Sequence, residues 1–142
     1  PIQNRPDIFG RQQILDEQDQ VTGEVERLLI NATDISFSDV FSLVESYRGL
    51  AFPAHVDKSS NSLLANLGFV PPDSTFPCAE ISSFDQLHRI QKEHPYFQRC
   101  RMISNSDAHY LPDIQEPYYQ IYSDSRGLPD ILDALRRCPS GV

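Results

Sequence analysis

The feature that most constrains the fold is an alternation of helix-like and strand-like segments from residue 36 to the end of the chain. The helix-like segments place apolar residues three or four positions apart, and short apolar runs bounded by glycine, proline or charged residues lie between them. Such an alternation with short connections favours a parallel sheet, because each parallel crossover needs room for a helix. The sequence therefore predicts an α/β fold whose parallel sheet is either open or wrapped into a barrel.

The predicted helices have polar N-caps, stopping glycines or a proline in the first turn. They are residues 22–33, SFSDVFSLVESYRGL from Ser36, SSNSLLANLGF ending at Gly68, SSFDQLHRIQKEH capped by Ser83, and GLPDILDALRRC with Pro129 in its first turn. The predicted strands are LAFPAHV, CAEIS, CRMISN and YYQIYS. Residues 1–20 are polar and contain two prolines, so they are predicted to be an irregular leading segment. No linker or repeat interrupts the pattern, which predicts a single domain over residues 1–142.

Composition argues against several classes of protein. No apolar run approaches the ~18 residues of a membrane-spanning helix, and the first residues lack the layout of a secretory signal. A net charge of -8 argues against general binding of duplex nucleic acid, which needs clustered Lys and Arg. The three cysteines, Cys78, Cys100 and Cys138, form no CxxC pair and no even-numbered disulfide framework. We therefore expect a cytoplasmic protein that binds neither membranes nor duplex nucleic acid.

Polar residues of the kind that bind metal ions occur at or near the ends of three predicted strands. His55 and Asp57 end LAFPAHVD, Glu80 lies in CAEIS, and Asp107 and His109 end CRMISNSDAH. Side chains alternate along a strand, so the two members of each i, i+2 pair are predicted to share a face. Ligands bind where loops gather at the carboxyl ends of parallel strands, which predicts a site at this end of the sheet.

Each of these residues also has an ordinary structural interpretation. Asn, Ser and Asp dominate turns, so SNSDAH fits a turn in which Asp107 caps the backbone and His109 is exposed. A histidine at a strand end, such as His55, is commonly a hydrogen-bonded or surface residue, and Asp57 beside Lys58 fits a solvated pair. Two strand ends with such pairs together favour the metal site over these interpretations.

The sequence contains no motif for covalent catalysis. It has no GxSxG, no phosphate-binding loop and no CxxC, and Cys100 lies in an apolar strand without an evident activating neighbour. His88 and His94 lie six positions apart on one predicted helix, so they point to different sides and do not match the i, i+4 spacing of helical metal pairs. Both are predicted to be surface residues.

The segments GLAFPAHVDKS and ISNSDAHY resemble the third and fourth motifs of the PHP (polymerase and histidinol phosphatase) superfamily, and the resemblance covers residues ~30 to 142. It implies a distorted parallel barrel of seven strands whose carboxyl ends hold two or three divalent metals. It also implies hydrolysis of phosphoesters by a metal-bound hydroxide. In this resemblance His55 matches the third-motif ligand, and Asp107 and His109 match the fourth-motif ligands.

Other residues near these motifs match no universal ligand position. Asp57 and Glu80 are expected to surround the ligands or to be structural, and Lys58 and Arg101 are candidates for contacting phosphate. The opening His-x-His motif and the second-motif ligands of the family have no counterpart, because no histidine precedes His55. The chain therefore looks like the C-terminal part of a PHP-type barrel, and by itself it is expected to hydrolyse phosphoesters weakly or not at all.

The expected cofactor is a divalent metal. His55, Asp107 and His109 can hold one ion facially, and mixed nitrogen and oxygen ligands suit Zn, Mn or Fe. A site with several ions requires the missing upstream motifs, since two-metal catalysis needs ions about 3.5–4 Å apart. The expected partner is a phosphate-ester small molecule or a nucleotide. The exposed sheet edge of part of a barrel also predicts self-association or pairing with the missing N-terminal portion.

Two alternatives to this enzyme remain open from the sequence. The first is a noncatalytic α/β scaffold or ligand-binding module derived from a PHP domain. The second is a fragment of a different metal-dependent barrel hydrolase, because such enzymes also end their strands on His and Asp.

Overall fold

The structure, a computed structural model, describes residues 2–117 and 119–137. It divides into two compact units, Pro1–Ser36 and Phe37–Val142. The α-helices are α1 (Pro6–Phe9), α2 (Phe37–Ser46), α3 (Leu63–Leu67), α4 (Leu87–Glu93) and α5 (Leu128–Arg136). The strands are β1 (Gln13–Leu15), β2 (Val21–Glu24), β3 (Cys78–Glu80) and β4 (Arg101–Ile103). Short 3-10 helices cover Phe84–Gln86, Pro95–Arg99 and Leu111–Asp113.

The first unit contains an antiparallel hairpin in which β1 pairs with β2. The predicted helix over residues 22–33 is wrong, because its first residues belong to β2 and no helix follows them before α2. Val21 and Thr22 are β-branched and suit a strand, whereas Gly23 weakens a helix. The prediction that residues 1–20 are irregular is also wrong in part, since they contain α1 and β1.

The core of the second unit is an aromatic and aliphatic cluster around Phe76. This side chain is 2% exposed, and its ring centroid lies 4.6 Å from that of Tyr96 and 5.3 Å from that of Phe41. The buried members of the cluster are Phe41, Val56, Leu63, Phe76, Ala79, Ile81, Ile90, Phe97 and Cys100. They come from α2, α3, β3, α4 and the segments between them, so one core packs all these elements together.

Helix α3 begins and ends where the sequence predicts. The hydroxyl oxygen of Ser62 accepts a hydrogen bond from the Ala65 amide at 3.0 Å, which satisfies a donor in the first turn. Gly68 follows the helix with φ of 77°, a left-handed conformation that glycine adopts without a Cβ clash, and its amide donates to the Leu64 carbonyl. The predictions of α2, α4 and α5 and of strands β3 and β4 are likewise confirmed.

The second unit has a parallel sheet in which β3 pairs with β4 in the register Cys78↔Arg101 and Glu80↔Ile103. This confirms an α/β fold with a parallel sheet, but in the described ranges the sheet has two strands and no barrel closes. The predicted strand LAFPAHV is wrong, because residues 50–56 form no regular strand. The predicted strand YYQIYS is wrong over residues 119–123, and its residue 118 lies outside the described residues.

The two described cysteines are structural. Cys78 and Cys100 are both buried. Burial raises the pKa of the Cys78 thiol to about 12, so this thiol stays protonated and unreactive near neutral pH. Cys138 lies outside the described residues. Over the same described ranges, no helix has both the length and the apolar character needed to cross a membrane.

Candidate metal site at the carboxyl ends of the sheet

Residues 53–56 lie along the edge of β3 opposite β4. The Glu80 amide donates to the Pro53 carbonyl at 3.0 Å, and the Val56 amide donates to the Glu80 carbonyl at 2.9 Å. In a regular parallel pair, the two residues that bond to one residue of the neighbouring strand have a single residue between them. Here Pro53 and Val56, which both bond to Glu80, have Ala54 and His55 between them. The additional residue distorts the segment as a β-bulge does. LAFPAHV therefore lies beside the sheet without forming a regular strand.

Two candidate ligands have left-handed backbone conformations. The φ angle is 30° at His55 and 50° at Asp107. A residue with a Cβ pays roughly 1–2 kcal/mol for such a conformation, and strained residues cluster at functional sites. The prediction that the members of each pair share a strand face is wrong. His55 and Asp57 lie in one loop, and Asp107 and His109 lie in another.

Hydrogen bonds join the loops that follow the sheet segments. The Asp57 carboxylate accepts from the Ser82 amide at 2.7 Å and also from the Ser82 hydroxyl. The Ser104 hydroxyl donates to the Ser82 carbonyl at 3.4 Å. The Asn105 amide nitrogen donates to the carboxylate of Glu80, a residue that is 8% exposed. Asp57 and Glu80 therefore hold the loops around the candidate ligands in place.

Sequence reasoning missed three of the polar residues in this network, Ser82, Ser104 and Asn105. Each lies within two positions of the end of β3 or β4. The feature that could have identified them is their position, because polar residues directly after parallel strands lie where the loops gather. Nothing in their residue types distinguishes them from ordinary turn residues.

Asp107 links the candidate ligands. Its carboxylate forms a short ion pair with the ammonium of Lys58. The hydrogen bond from Lys58 holds the pKa of Asp107 below its usual range, and the charges of Lys58, His55 and His109 lower that pKa further. The His109 Nδ1 atom lies 2.9 Å from the Asp107 carbonyl oxygen. The structure therefore brings His55, Asp107 and His109 to one end of the sheet, with Lys58 between the two loops.

The donor set at this end of the sheet suits a cation. The His55 Nδ1 atom is buried and has no hydrogen-bond partner among the described residues. An unpaired buried polar atom is costly, and a metal ion would satisfy this one. His109 directs Nδ1 to the Asp107 carbonyl, so Nε2 is its ring nitrogen away from that contact. Ring nitrogens together with a carboxylate oxygen are the mixed donor types that Zn, Mn or Fe prefers.

The same residues are not gathered tightly enough for ligation. Across residues 2–117 and 119–137, no group of three His, Cys, Asp or Glu side chains has an arrangement that could hold an ion. Lys58 takes the place on Asp107 that a metal ion would take. Binding of an ion by all three residues therefore requires a local rearrangement in which the Lys58 ammonium leaves the carboxylate.

The remaining predicted residues lie in other environments. The Arg101 Nε atom donates to the Arg137 carbonyl at 2.9 Å, so this guanidinium is directed to the end of α5 and not to the candidate ligands. His88 is exposed on α4, as predicted. His94 is half-buried, with its ring 6.2 Å from that of Phe97, so it is only partly at the surface.

Comparison of the chain with protein-family models, with curated proteins and with solved structures finds no match.

The strained backbone at residue 55 leads to a prediction about stability. We expect His55→Gly to have a free energy of unfolding about 1 kcal/mol higher than His55→Ala, because glycine adopts a φ of 30° without a Cβ clash. Both variants lose the imidazole, so their difference isolates the backbone. Urea denaturation of the two variants measures it. Equal stabilities would show that residue 55 is not held in this conformation.

Proposed function

We propose that this chain supplies the third- and fourth-motif metal ligands of a PHP-type phosphoesterase. The observation that best supports the proposal is the environment of Asp107. Lys58 pairs with this carboxylate and donates its backbone amide to the His55 carbonyl at 3.0 Å, so the loop of His55 meets the loop of Asp107. The His109 ring contacts the Asp107 carbonyl from the same loop as Asp107. Ordinary turn chemistry within the loop of Asp107 gives no reason for His55 to lie near this carboxylate.

Strain and an unpaired atom give further support. His55 and Asp107 both have left-handed backbone conformations, which cost stability. Strained residues of this kind cluster at functional sites. The buried Nδ1 of His55 has no hydrogen-bond partner among the described residues, which is a second cost at the same residue. Metal binding accounts for both features, because it fixes the direction of the imidazole and satisfies its nitrogen.

In this proposal His55, Asp107 and His109 hold one divalent ion, and Asp57 and Glu80 position the loops. When bound, the ion would act as a Lewis acid toward the phosphoryl oxygens of the substrate. The parallel β3–β4 pair and the adjoining residues 53–56 fit part of a distorted parallel barrel. With three ligands for one ion, the chain alone is expected to turn over phosphoesters slowly or not at all.

The charge of the chain fits a requirement for a cation. Its net charge is -8, and the carboxylates of Asp57, Glu80 and Asp107 outnumber the one ammonium of Lys58 at this end of the sheet, so the site as it stands repels a phosphate ester. A divalent ion would offset this local charge. The proposed substrate class is a phosphate-ester small molecule or a nucleotide, bound through its phosphate.

A noncatalytic scaffold is the second candidate function. The observation that favours it is the Lys58–Asp107 ion pair, which satisfies the carboxylate without a metal ion. In a scaffold this pair joins the two loops permanently, and His109 is an ordinary exposed loop residue. The scaffold predicts no divalent metal binding that depends on His109.

Binding of inorganic phosphate separates the two functions. We expect the purified chain to bind phosphate in calorimetry when saturated with Mn²⁺ and not in the presence of a chelator, because only the metal-loaded site attracts the anion. His109→Ala should abolish the metal-dependent binding. His88→Ala, which removes an exposed histidine on α4, should leave it unchanged. Phosphate binding that is the same with Mn²⁺ and with chelator would contradict the enzyme and favour the scaffold.

A further inference from the structure

We propose that a cavity at the amino end of β3 binds a free amino acid with a large apolar side chain. The cavity has a volume of about 200 Å³ and lies between α2, the turn that follows α2, the residues directly before β3, and α5. All of these elements belong to the second unit. The candidate metal site lies at the carboxyl ends of the strands, so binding in this cavity is independent of the proposed function.

Part of the lining of the cavity is apolar and comes from the core. Phe41 and Phe76 line it together with Ala51 and Pro77, and both phenylalanines are buried members of the core cluster. Aromatic rings of this kind pack well against another apolar or aromatic side chain. Pockets for drug-sized ligands have volumes of roughly 300–1,000 Å³, so this smaller cavity suits a single amino acid.

Two opposite charges line the same cavity. The carboxylate of Glu45 comes from the last turn of α2, and the guanidinium of Arg136 comes from the last turn of α5. Among the ion pairs of the described residues, none joins these two side chains. A free amino acid has an ammonium for Glu45 and a carboxylate for Arg136, whereas a ligand with one charge satisfies only one of the two.

Arg136 keeps donors for a ligand. Its Nη1 atom lies 3.5 Å from a carboxylate oxygen of Asp133, a residue whose side chain is 58% exposed, and such accessible pairs contribute little to stability. A guanidinium has further N–H donors, arranged in a planar fork that matches a carboxylate. The carboxylate of the amino acid is therefore expected to bind Arg136 while the guanidinium keeps its contacts within the protein.

The turn after α2 holds both charged residues in place. The Gly49 amide donates to the Val44 carbonyl at 3.0 Å, and the Gly49 carbonyl accepts from the Nη2 atom of Arg136 at 2.9 Å. A Cβ at Gly49 would lie 2.7 Å from the Cγ1 atom of Val44, so glycine allows the turn to approach the helix this closely. The turn therefore joins the end of α2, which contains Glu45, to the side chain of Arg136.

Calorimetric titration of the purified chain with a series of small molecules tests this site. L-Phenylalanine should bind at least about tenfold more tightly than phenethylamine, which lacks the carboxylate, and than 3-phenylpropionate, which lacks the ammonium. L-Alanine should also bind at least about tenfold more weakly, because it buries little apolar surface. A chelator in every titration makes the result independent of the candidate metal site. No binding of L-phenylalanine, or equal binding of all these compounds, would overturn the proposal.

Two variants assign the charges of the ligand to their partners. Glu45→Gln should weaken the binding of L-phenylalanine about tenfold and leave that of 3-phenylpropionate unchanged, because only the ammonium loses its partner. Arg136→Met should likewise weaken L-phenylalanine and leave phenethylamine unchanged. The retained binding in each case shows that the cavity is still folded.

Exposed residues of the same unit provide matched controls. Glu116→Gln and Arg126→Met remove the same charges elsewhere and should leave the affinity for L-phenylalanine at the wild-type value. If Glu45→Gln weakened 3-phenylpropionate as much as L-phenylalanine, or if the controls had the same effect as the cavity variants, the assignment of an amino acid to this cavity would be wrong.

Discussion

We expect His109→Ala to weaken Mn²⁺ binding at least about 100-fold while changing the free energy of unfolding by less than about 0.5 kcal/mol. The large loss of affinity follows because the substitution removes one of three proposed ligands. The small change in stability follows because His109 is exposed in a loop, where its Nδ1 atom lies 2.9 Å from the Asp107 carbonyl oxygen two residues away. Calorimetric titration and urea denaturation of the same preparation measure the two effects.

The competing interpretation of His109 as a packed turn residue predicts the opposite pattern. In that case the free energy of unfolding falls by roughly 1–3 kcal/mol and metal binding does not change, as for the loss of a buried hydrogen-bonding group. His88→Ala is the control for nonspecific binding by exposed histidines, and it should leave both quantities near wild type. An unchanged Mn²⁺ affinity in His109→Ala with a large loss of stability would remove His109 from the proposed site.

We expect Phe76→Ala to lower the free energy of unfolding by about 3–5 kcal/mol, because it leaves a cavity where the core is best packed. The Phe76 ring is 2% exposed and lies within 6.3 Å, centroid to centroid, of four other aromatic rings. Such a loss is a large fraction of the 5–15 kcal/mol by which domains are typically stable. Urea denaturation followed by far-UV circular dichroism measures it.

An exposed phenylalanine of the same unit provides the control. Phe69 is 55% exposed, so Phe69→Ala should change the free energy of unfolding by no more than about 0.5 kcal/mol. If Phe76→Ala and Phe69→Ala had similar small effects, the aromatic cluster around Phe76 would not be the core of this unit.

The sequence predicted those elements whose signals are local. Ser83 caps the 3-10 helix Phe84–Gln86 that leads directly into α4, and Pro129 lies in the first turn of α5. Both signals are local because capping depends on residues a few positions apart. Apolar runs between helices likewise predicted β3 and β4. Local signals of this kind can be read from one chain without knowledge of its tertiary contacts.

The predictions from sequence were wrong where contacts between residues far apart in the chain determine the local structure. The apolar spacing from Val21 onward fits a helix, but pairing with β1 makes residues 21–24 a strand instead. LAFPAHV has a strand-like composition, yet the additional residue between its two bonds to Glu80 breaks the ladder. Neither the pairing partner nor the irregular register leaves a mark in hydrophobic periodicity.

The same difference between local and long-range signals applies to the candidate site. Residue types and their positions after predicted strands indicated His55, Asp107 and His109 as candidate ligands. The partners of the surrounding carboxylates could not be predicted, since Lys58 meets Asp107 from 49 positions away and Asp57 meets Ser82 from 25 positions away. Such pairs exist only after the loops have been brought together at the end of the sheet.

Anomalous X-ray diffraction from crystals of the chain grown with Zn²⁺ tests the proposed ligands most directly. We expect one zinc peak about 2.0–2.2 Å from a ring nitrogen of His55, a ring nitrogen of His109 and a carboxylate oxygen of Asp107. The Lys58 ammonium should no longer contact Asp107. A zinc peak only at His88 or His94, or no peak beside an intact Lys58–Asp107 ion pair, would contradict the metal site.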